Sequence, residues 1–311
     1  GPTFQDLSDQ RWIVTTGIPA LSQRVKFQAQ GPNDTAFLMY SSGSTSAPKG
    51  ALTTFGNLNH QLEMNGRALG NDPAHVSCWW APHYHDYGLI SGFLNVVYQG
   101  CTGVLASPFD FIQRPELWLD MLHKHKCTHT FGPDFGYELL IRKTSSSERR
   151  IEKWDLRNLR VAMSAAEKVR ASTIDAFSAA FANCGFRRSV FCPAYGLAEH
   201  TVGVTINGVS AEPLVQKILR DPLEERGEAL PADSYTDLGE SEDERLLELV
   251  GNGVPRYETD IKIVKITPDG DPVEVVPPGY VGEIWVASAS KTKGYFKESE
   301  LTQATFRARL P

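Results

Sequence analysis

Apolar positions along the chain fall into two alternating periods. "DTAFLMYSS" runs Ala36, Phe37, Leu38, Met39 and Tyr40 without a break, the pattern of a strand buried on both faces. "FGNLNHQLEMNGRAL", residues 55 to 69, places Leu58, Leu62 and Leu69 at helical spacing. "HVSCWW" predicts a short strand that enters a His-rich turn. "LISGFLNVVYQGCTGVLAS" predicts a helix, a break at Gly100 and Gly103, then a strand. "RPELWLDMLHKHK" is an amphipathic helix with Pro115 in its first turn, and "CTHTFGP" is strand-like and stops at Pro133. "LRVAMSAAE" is a strand, "ASTIDAFSAAFANCG" a helix closed by Gly185, and "SVFCPAYG" a further strand. This alternation predicts an α/β fold over residues 1–208, with a mostly parallel sheet and flanking helices.

The pattern then changes. Residues 209–249 are acidic, with "DPLEERGEALPADS" and "GESEDERLLE", and read as a long surface excursion. Residues 250–311 alternate as strands do ("RYETDIKIVKIT", a turn at "PDGD", "VEVVPPGYVGEIWVAS"), which predicts a small β-rich subdomain. A charged segment at 142–158 reads as surface.

Composition narrows the class. The 311 residues are 41% hydrophobic, enough for a large core. A formal net charge of -6 gives no electrostatic reason to expect nucleic acid. The five cysteines are odd in number and form no CxxC, which argues for a reducing compartment. Without a signal-peptide pattern or a long uncharged apolar run, the expectation is a soluble cytoplasmic protein with no membrane insertion. "HKHKCTH" alternates His123, His125, Cys127 and His129 as a metal-binding strand would. The amphipathic pattern before it instead carries His123 and His125 to a helix end, where they point apart.

The richest chemistry lies in "YSSGSTSAPKG", residues 40 to 50. Placed between an apolar strand and a helix, such a loop offers backbone N–H groups and a helix N-terminus to an anion. Ser41, Ser42, Ser44 and Thr45 add hydroxyls, Gly43 lets the backbone approach closely, and Lys49 adds charge. A plain Gly/Ser/Pro loop has the same composition.

Four more stretches come in order: "APHYHDYGLI", "SAAEKVR", "FCPAYGLAEHT", and "VGEIWV" with "GYF". Together with the serine-rich loop they resemble the adenylate-forming superfamily of acyl-CoA synthetases, luciferases and peptide-synthetase adenylation domains, in its fatty acyl-AMP ligase branch. The charged segment 142–158 lies where that branch carries an insertion. The resemblance implies the large-domain fold of these enzymes, with a carboxylate joined to the α-phosphate of ATP and pyrophosphate expelled. It implies that the acyl group then passes to an acyl carrier protein, as in polyketide and lipid biosynthesis.

By the same resemblance, Ser41, Ser42, Gly43, Ser44, Thr45 and Lys49 would hold the phosphates. Glu199, with Thr45, would hold Mg²⁺, a hard cation that prefers oxygen. Tyr195 would stack on adenine, with Gly196, Leu197 and Ala198 beside it; Ser164, Ala165, Ala166 and Glu167 would line the base. His85 would lie at the acyl carboxylate, with Asp86 orienting its turn. Phe131, Gly132, Pro133, Phe135 and Leu139 would line a tunnel for the fatty acid, whereas Trp79 and Trp80 read as core. Taken alone, Glu199 reads as a helix N-terminal carboxylate and Tyr195 as a buried tyrosine.

Two departures stand out. Ser46 replaces the glycine usual after "S-G-S-T", at a cost on the order of 1 kcal/mol if that position needs a positive φ. The resemblance also implies an upstream part of the large domain and a C-terminal domain with a catalytic lysine, and no lysine here matches that role. Two other readings stay open: an acyl-CoA ligase, and an inactive nucleotide- or lipid-binding module.

Overall fold

A computed structural model describes residues 28–40, 48–144, 153–234, 245–266 and 272–310. The chain divides into a unit of residues 1–30 and a unit of residues 31–311. The described strands and helices lie in the second unit.

Strands β1 (Thr35–Tyr40) and β2 (Gly50–Thr54) form an antiparallel hairpin, with Tyr40 opposite Gly50. β2 runs directly into helix α1 (Phe55–Leu69). Next come β3 (Val76–Trp79), a π-helical segment Tyr87–Leu94, α2 (Asn95–Gln99) and β4 (Thr102–Leu105). After them come α3 (Pro108–Gln113), α4 (Glu116–Lys124), β5 (His129–Gly132), α5 (Asp134–Thr144), β6 (Val161–Ser164) and α6 (Ala171–Ala180). β7 (Phe191–Gly196) and β8 (Gly203–Ile206) precede β9 (Val215–Leu219), α7 (Arg220–Arg226), β10 (Leu246–Val250) and β11 (Val254–Pro255). β12 (Asp260–Ile266), β13 (Pro272–Val275), β14 (Glu283–Ala287) and α8 (Ser299–Phe306) complete the described chain.

Seven strands make the main sheet, in the order β11-β8-β7-β6-β5-β3-β4. β4, β3, β5, β6 and β7 run parallel, and β8 and β11 pair antiparallel at one side. The expected mostly parallel sheet is therefore present. β12, β13 and β14 form a separate three-stranded antiparallel sheet.

Because side chains alternate across a strand, each face of the main sheet has its own core. On one face α3 to α6 bury Trp80, Phe111, Trp118, Tyr137, Phe177, Phe181 and Phe191. Trp118 donates its indole N–H to Thr130 Oγ1 at 2.7 Å, so its one polar atom is satisfied inside the core. On the other face Met64, Trp79, Tyr87, Phe131, Met163, Cys192 and Ile206 pack together. The π-helical segment lies close on this second face: a Cβ at Gly92 would come within 2.7 Å of Trp79 Cε2, so only glycine allows that approach.

Three expectations change. Residues 36–40 were to be buried on both faces, but Tyr40 is 57% exposed and only Met39 is buried. The reason is that β1 belongs to a two-stranded hairpin and not to the main sheet. The serine-rich loop was to lead from a strand into a helix. β2 intervenes, and the N-terminus of α1 is closed by its own capping box, with Thr54 Oγ1 accepting from Asn57 N at 3.1 Å and Asn57 Oδ1 accepting from Thr54 N at 3.0 Å. Within the acidic stretch, β9 and β10 pair as a two-stranded sheet and α7 succeeds β9, because Ile218 and Leu219 have apolar surface to bury.

All five cysteines are thiols, four of them buried. No described helix is long and apolar enough to cross a membrane. Among the described residues no group of three His, Cys, Asp or Glu is placed to hold a metal ion, and His123 and Lys124 end α4. Thr54→Ala removes the α1 cap and should cost about 1 kcal/mol, read as a lower midpoint in urea at unchanged slope.

Candidate active site

A cavity of about 410 Å³ opens at the carboxyl ends of the central strands. This is where ligands bind in open parallel sheets. Three stretches far apart in sequence meet there: Tyr84 to Tyr87 after β3, Ala165 and Ala166 after β6, and Ala194 to Glu199 at the end of β7. Met39 and Tyr40 of β1, Asn65 of α1, Ser91 of the π-helical segment, and Met163, Val202, Gly203 and Ile206 complete the wall.

The β7–β8 turn is tight. Leu197 N donates to Val202 O at 2.8 Å, and a side chain at Gly196 would run into that same carbonyl. Ala198–His200 is a single 3-10 turn, ended by buried Thr201 at φ +67°. Glu199 therefore sits in a turn and not at a helix N-terminus. Two groups hold it. Thr292 donates its N–H (2.8 Å) and its hydroxyl (3.0 Å) to Glu199 O, and Tyr295 donates its hydroxyl to Glu199 Oε1. Burial, then the Glu199 carboxylate, push the Tyr295 hydroxyl well above its usual range.

Residues 293–296 also extend the β1–β2 hairpin, with Leu52 N donating to Gly294 O and Phe296 N to Gly50 O, both at 2.8 Å. Lys49, just before β2, places its ammonium 5.7 Å from the centre of the Tyr295 ring. Tyr295 thus joins Lys49 to Glu199. "GYF" is visible in the sequence, but nothing there gives Tyr295 a part, since its role depends on contacts with residues far back in the chain.

At the cavity mouth, half-exposed His85 pairs its Nδ1 with Asp86 Oδ1 at 2.6 Å. Asp86 Oδ1 also accepts from Tyr87 N at 2.6 Å, so it orients the turn. The hydrogen bond to Asp86 raises the pKa of His85 against the opposing effect of burial. Tyr195 is half-buried in the wall, and burial followed by the Glu199 charge raises its pKa.

Ala166 takes φ +72°, a left-handed conformation that costs an alanine about 1 kcal/mol. Its neighbours hold it there. Glu167 accepts from Phe135 N at 2.6 Å, and buried Asp134 accepts from Arg170 N (3.1 Å) and Thr173 Oγ1 (2.9 Å). Glu167 thus caps α5 and does not line the cavity, and Ser164 is fully buried beneath it.

The expected tunnel residues are not on this cavity. Phe131 is in the core beneath it, stacked on Trp79 at 5.8 Å. Gly132, Phe135 and Leu139 belong to the opposite face, where a Cβ at Gly132 would come within 3.0 Å of Trp118. Phe135 meets Trp80 edge-on at 5.6 Å. Alternation along β5 sets this: Phe131 faces the cavity side, and Pro133 leads into α5 on the other. Ser41, Ser42, Gly43, Ser44, Thr45 and Ser46 lie outside the described residues.

The chain matches the AMP-binding enzyme family over residues 4–296. It belongs to that family. Among curated relatives of this AMP-binding enzyme chain is the medium-chain-fatty-acid–[acyl-carrier-protein] ligase JamA of Moorena producens. That relative is 35% identical over 301 residues, 96% of this chain and 49% of the relative. Another is a 4-hydroxyphenylalkanoate adenylyltransferase of Mycobacterium tuberculosis, 34% identical over 280 residues, covering 89% of this chain and 42% of the relative. A solved structure of a fatty acyl-adenylate ligase from Legionella pneumophila, in complex with acyl adenylate and pyrophosphate, superposes with a TM-score of 0.79. It is 32% identical, and the match covers 90% of this chain and 46% of that one. The fold is therefore that of the large domain of adenylate-forming enzymes. The chain spans about half the length of the curated relatives it matches.

In an NMR titration His85 should protonate above the ordinary histidine value, and Asp86→Asn should bring it down; an unchanged His85 titration in the variant would remove Asp86 as the cause.

Proposed function

We propose that the protein carrying this chain is a fatty acyl-AMP ligase, which activates a fatty acid with ATP and hands the acyl group to an acyl carrier protein. One observation carries this reading: a single cavity gathers His85, Ala165, Ala166 and Tyr195 to Glu199, while Tyr295 ties Lys49 to Glu199 at its edge.

In the reaction a carboxylate oxygen of the acid attacks the α-phosphorus of ATP. The new bond is carboxyl oxygen to phosphorus, the bond from α-phosphorus to bridging oxygen breaks, and pyrophosphate leaves with that electron pair. No proton needs to be removed from an ionised acid. The demand on the site is to bring two anions together, which positive charge and fixed donors meet. His85 suits this role, because Asp86 favours its charged form at the cavity mouth. The Tyr195 ring and the backbone at Ala165 and Ala166 form a flat, small-residue wall for adenine. Lys49 and the serine-rich loop would hold the phosphates leaving as pyrophosphate.

The Glu199 carboxylate is a hard oxygen donor at the cavity edge, and its chemistry fits Mg²⁺. Glu199 and Thr45 would hold that ion, which neutralises phosphate charge when bound. Transfer to a carrier protein is supported by the acyl-carrier-protein ligase activity for which JamA is named and by the charged segment 142–158.

Pyrophosphate release by the full-length protein with ATP, Mg²⁺ and dodecanoate tests the reading. Lys49→Ala and Glu199→Gln should each lower kcat/KM by about 10²-fold. Absence of release in the wild type would sink adenylation, and acyl-coenzyme A formation when coenzyme A is added to the mixture would replace the carrier protein as acceptor.

A further inference from the structure

A second chamber, of about 10 Å³, lies deeper on the same face of the sheet. The main cavity is at the carboxyl ends of the strands. Ser77, His129 and Val161, which line the chamber, sit near the opposite ends of β3, β5 and β6. Ser91 and Met163 line both spaces, so these two side chains stand between them.

The volume suits one water-sized group. Seven of its eleven lining residues carry polar side chains. Asn95 is 3% exposed, and its Oδ1 has no hydrogen-bond partner among the described residues. Asn71 Nδ2 and Oδ1, both buried atoms, have none. Three of the other polar side chains are committed. His129 bonds Leu69 O at 2.9 Å and Thr128 Oγ1 at 2.9 Å, His75 bonds Asp72 O and Cys101 Sγ, and Thr130 bonds Cys78 O at 2.8 Å. Burial holds His129 neutral, with its pKa lowered to about 4. The chamber therefore offers an unpaired acceptor and an unpaired amide with no charge. An ion there would be desolvated without compensation, whereas a hydroxyl can donate to one group and accept from the other.

We propose that the acyl site continues past Ser91 and Met163 into this chamber, and that the preferred acid carries a hydroxyl at its far end, received by Asn95 and Asn71. This rests on the adenylation reading, in which the carboxylate lies at His85. An acid ending in methyl would leave Asn95 Oδ1 and the Asn71 amide unpaired, and sites built to hydrogen-bond a hydroxyl discriminate strongly against analogues that lack it.

The test is pyrophosphate release by the full-length protein with unbranched acids of increasing length, each paired with its ω-hydroxy counterpart. At one length the ω-hydroxy acid should exceed its methyl partner in kcat/KM by roughly 10-fold or more, and Asn95→Leu should collapse that ratio. Methyl acids preferred at every length by the wild type would overturn the inference and leave the chamber with a trapped water only, whether or not the variant folds. A ratio unchanged in a folded Asn95→Leu protein would equally overturn it. No release with any acid of either series would instead overturn the adenylation reading on which it rests.

Discussion

The site depends on a clamp about one residue. Thr292 gives two hydrogen bonds to the backbone carbonyl of Glu199, and Tyr295 gives one to its carboxylate. Those donors lie far along the chain from the groups they hold. The segment that bears them is itself tied down: Asn57 at the start of α1 donates to Ala289 O (2.8 Å) and Lys291 O (2.9 Å), and Thr201 donates to Ser290 O at 2.6 Å. A short turn with few contacts of its own is thus fixed from several sides. The bond from Tyr295 goes to a charged group and is stronger than a neutral one, and the two from Thr292 fix the backbone that carries that carboxylate.

The two faces of the main sheet divide the work. The face under α3 to α6 is filled with aromatic side chains, and there the Trp118 indole N–H is paired with Thr130. The other face is less filled. There glycine at position 92 brings the π-helical segment close at one point, and the cavity opens beyond it. π-helical geometry is uncommon and recurs at functional sites, where the wider turn re-aims side chains. In this segment it is Tyr87 and Ser91 that reach the cavity.

Much of this was legible in the chain itself. The helix Phe55–Leu69 came from the spacing of three leucines, and Gly70 closes it in the left-handed conformation that glycine adopts freely. The parallel strands came from short apolar runs alternating with helical patterns, and Tyr195 to Glu199 came together because they are adjacent. Long-range pairing was not legible. β2, "GALTT", has little apolar content, and its outer partner is the backbone of residues 293–296. Phe135 and Leu139 follow Phe131 closely in sequence but lie on the other face of the sheet from this cavity. After a strand, one proline and one helix turn carry the chain to the other side of the sheet.

The alanine at position 166 has a further consequence. A left-handed alanine persists only where surrounding bonds outweigh its strain, and here buried Asp134 and exposed Glu167 supply them. The stretch is consequently stiff before anything touches it. Any ligand meeting that surface would cost the protein little ordering, because the wall is already set.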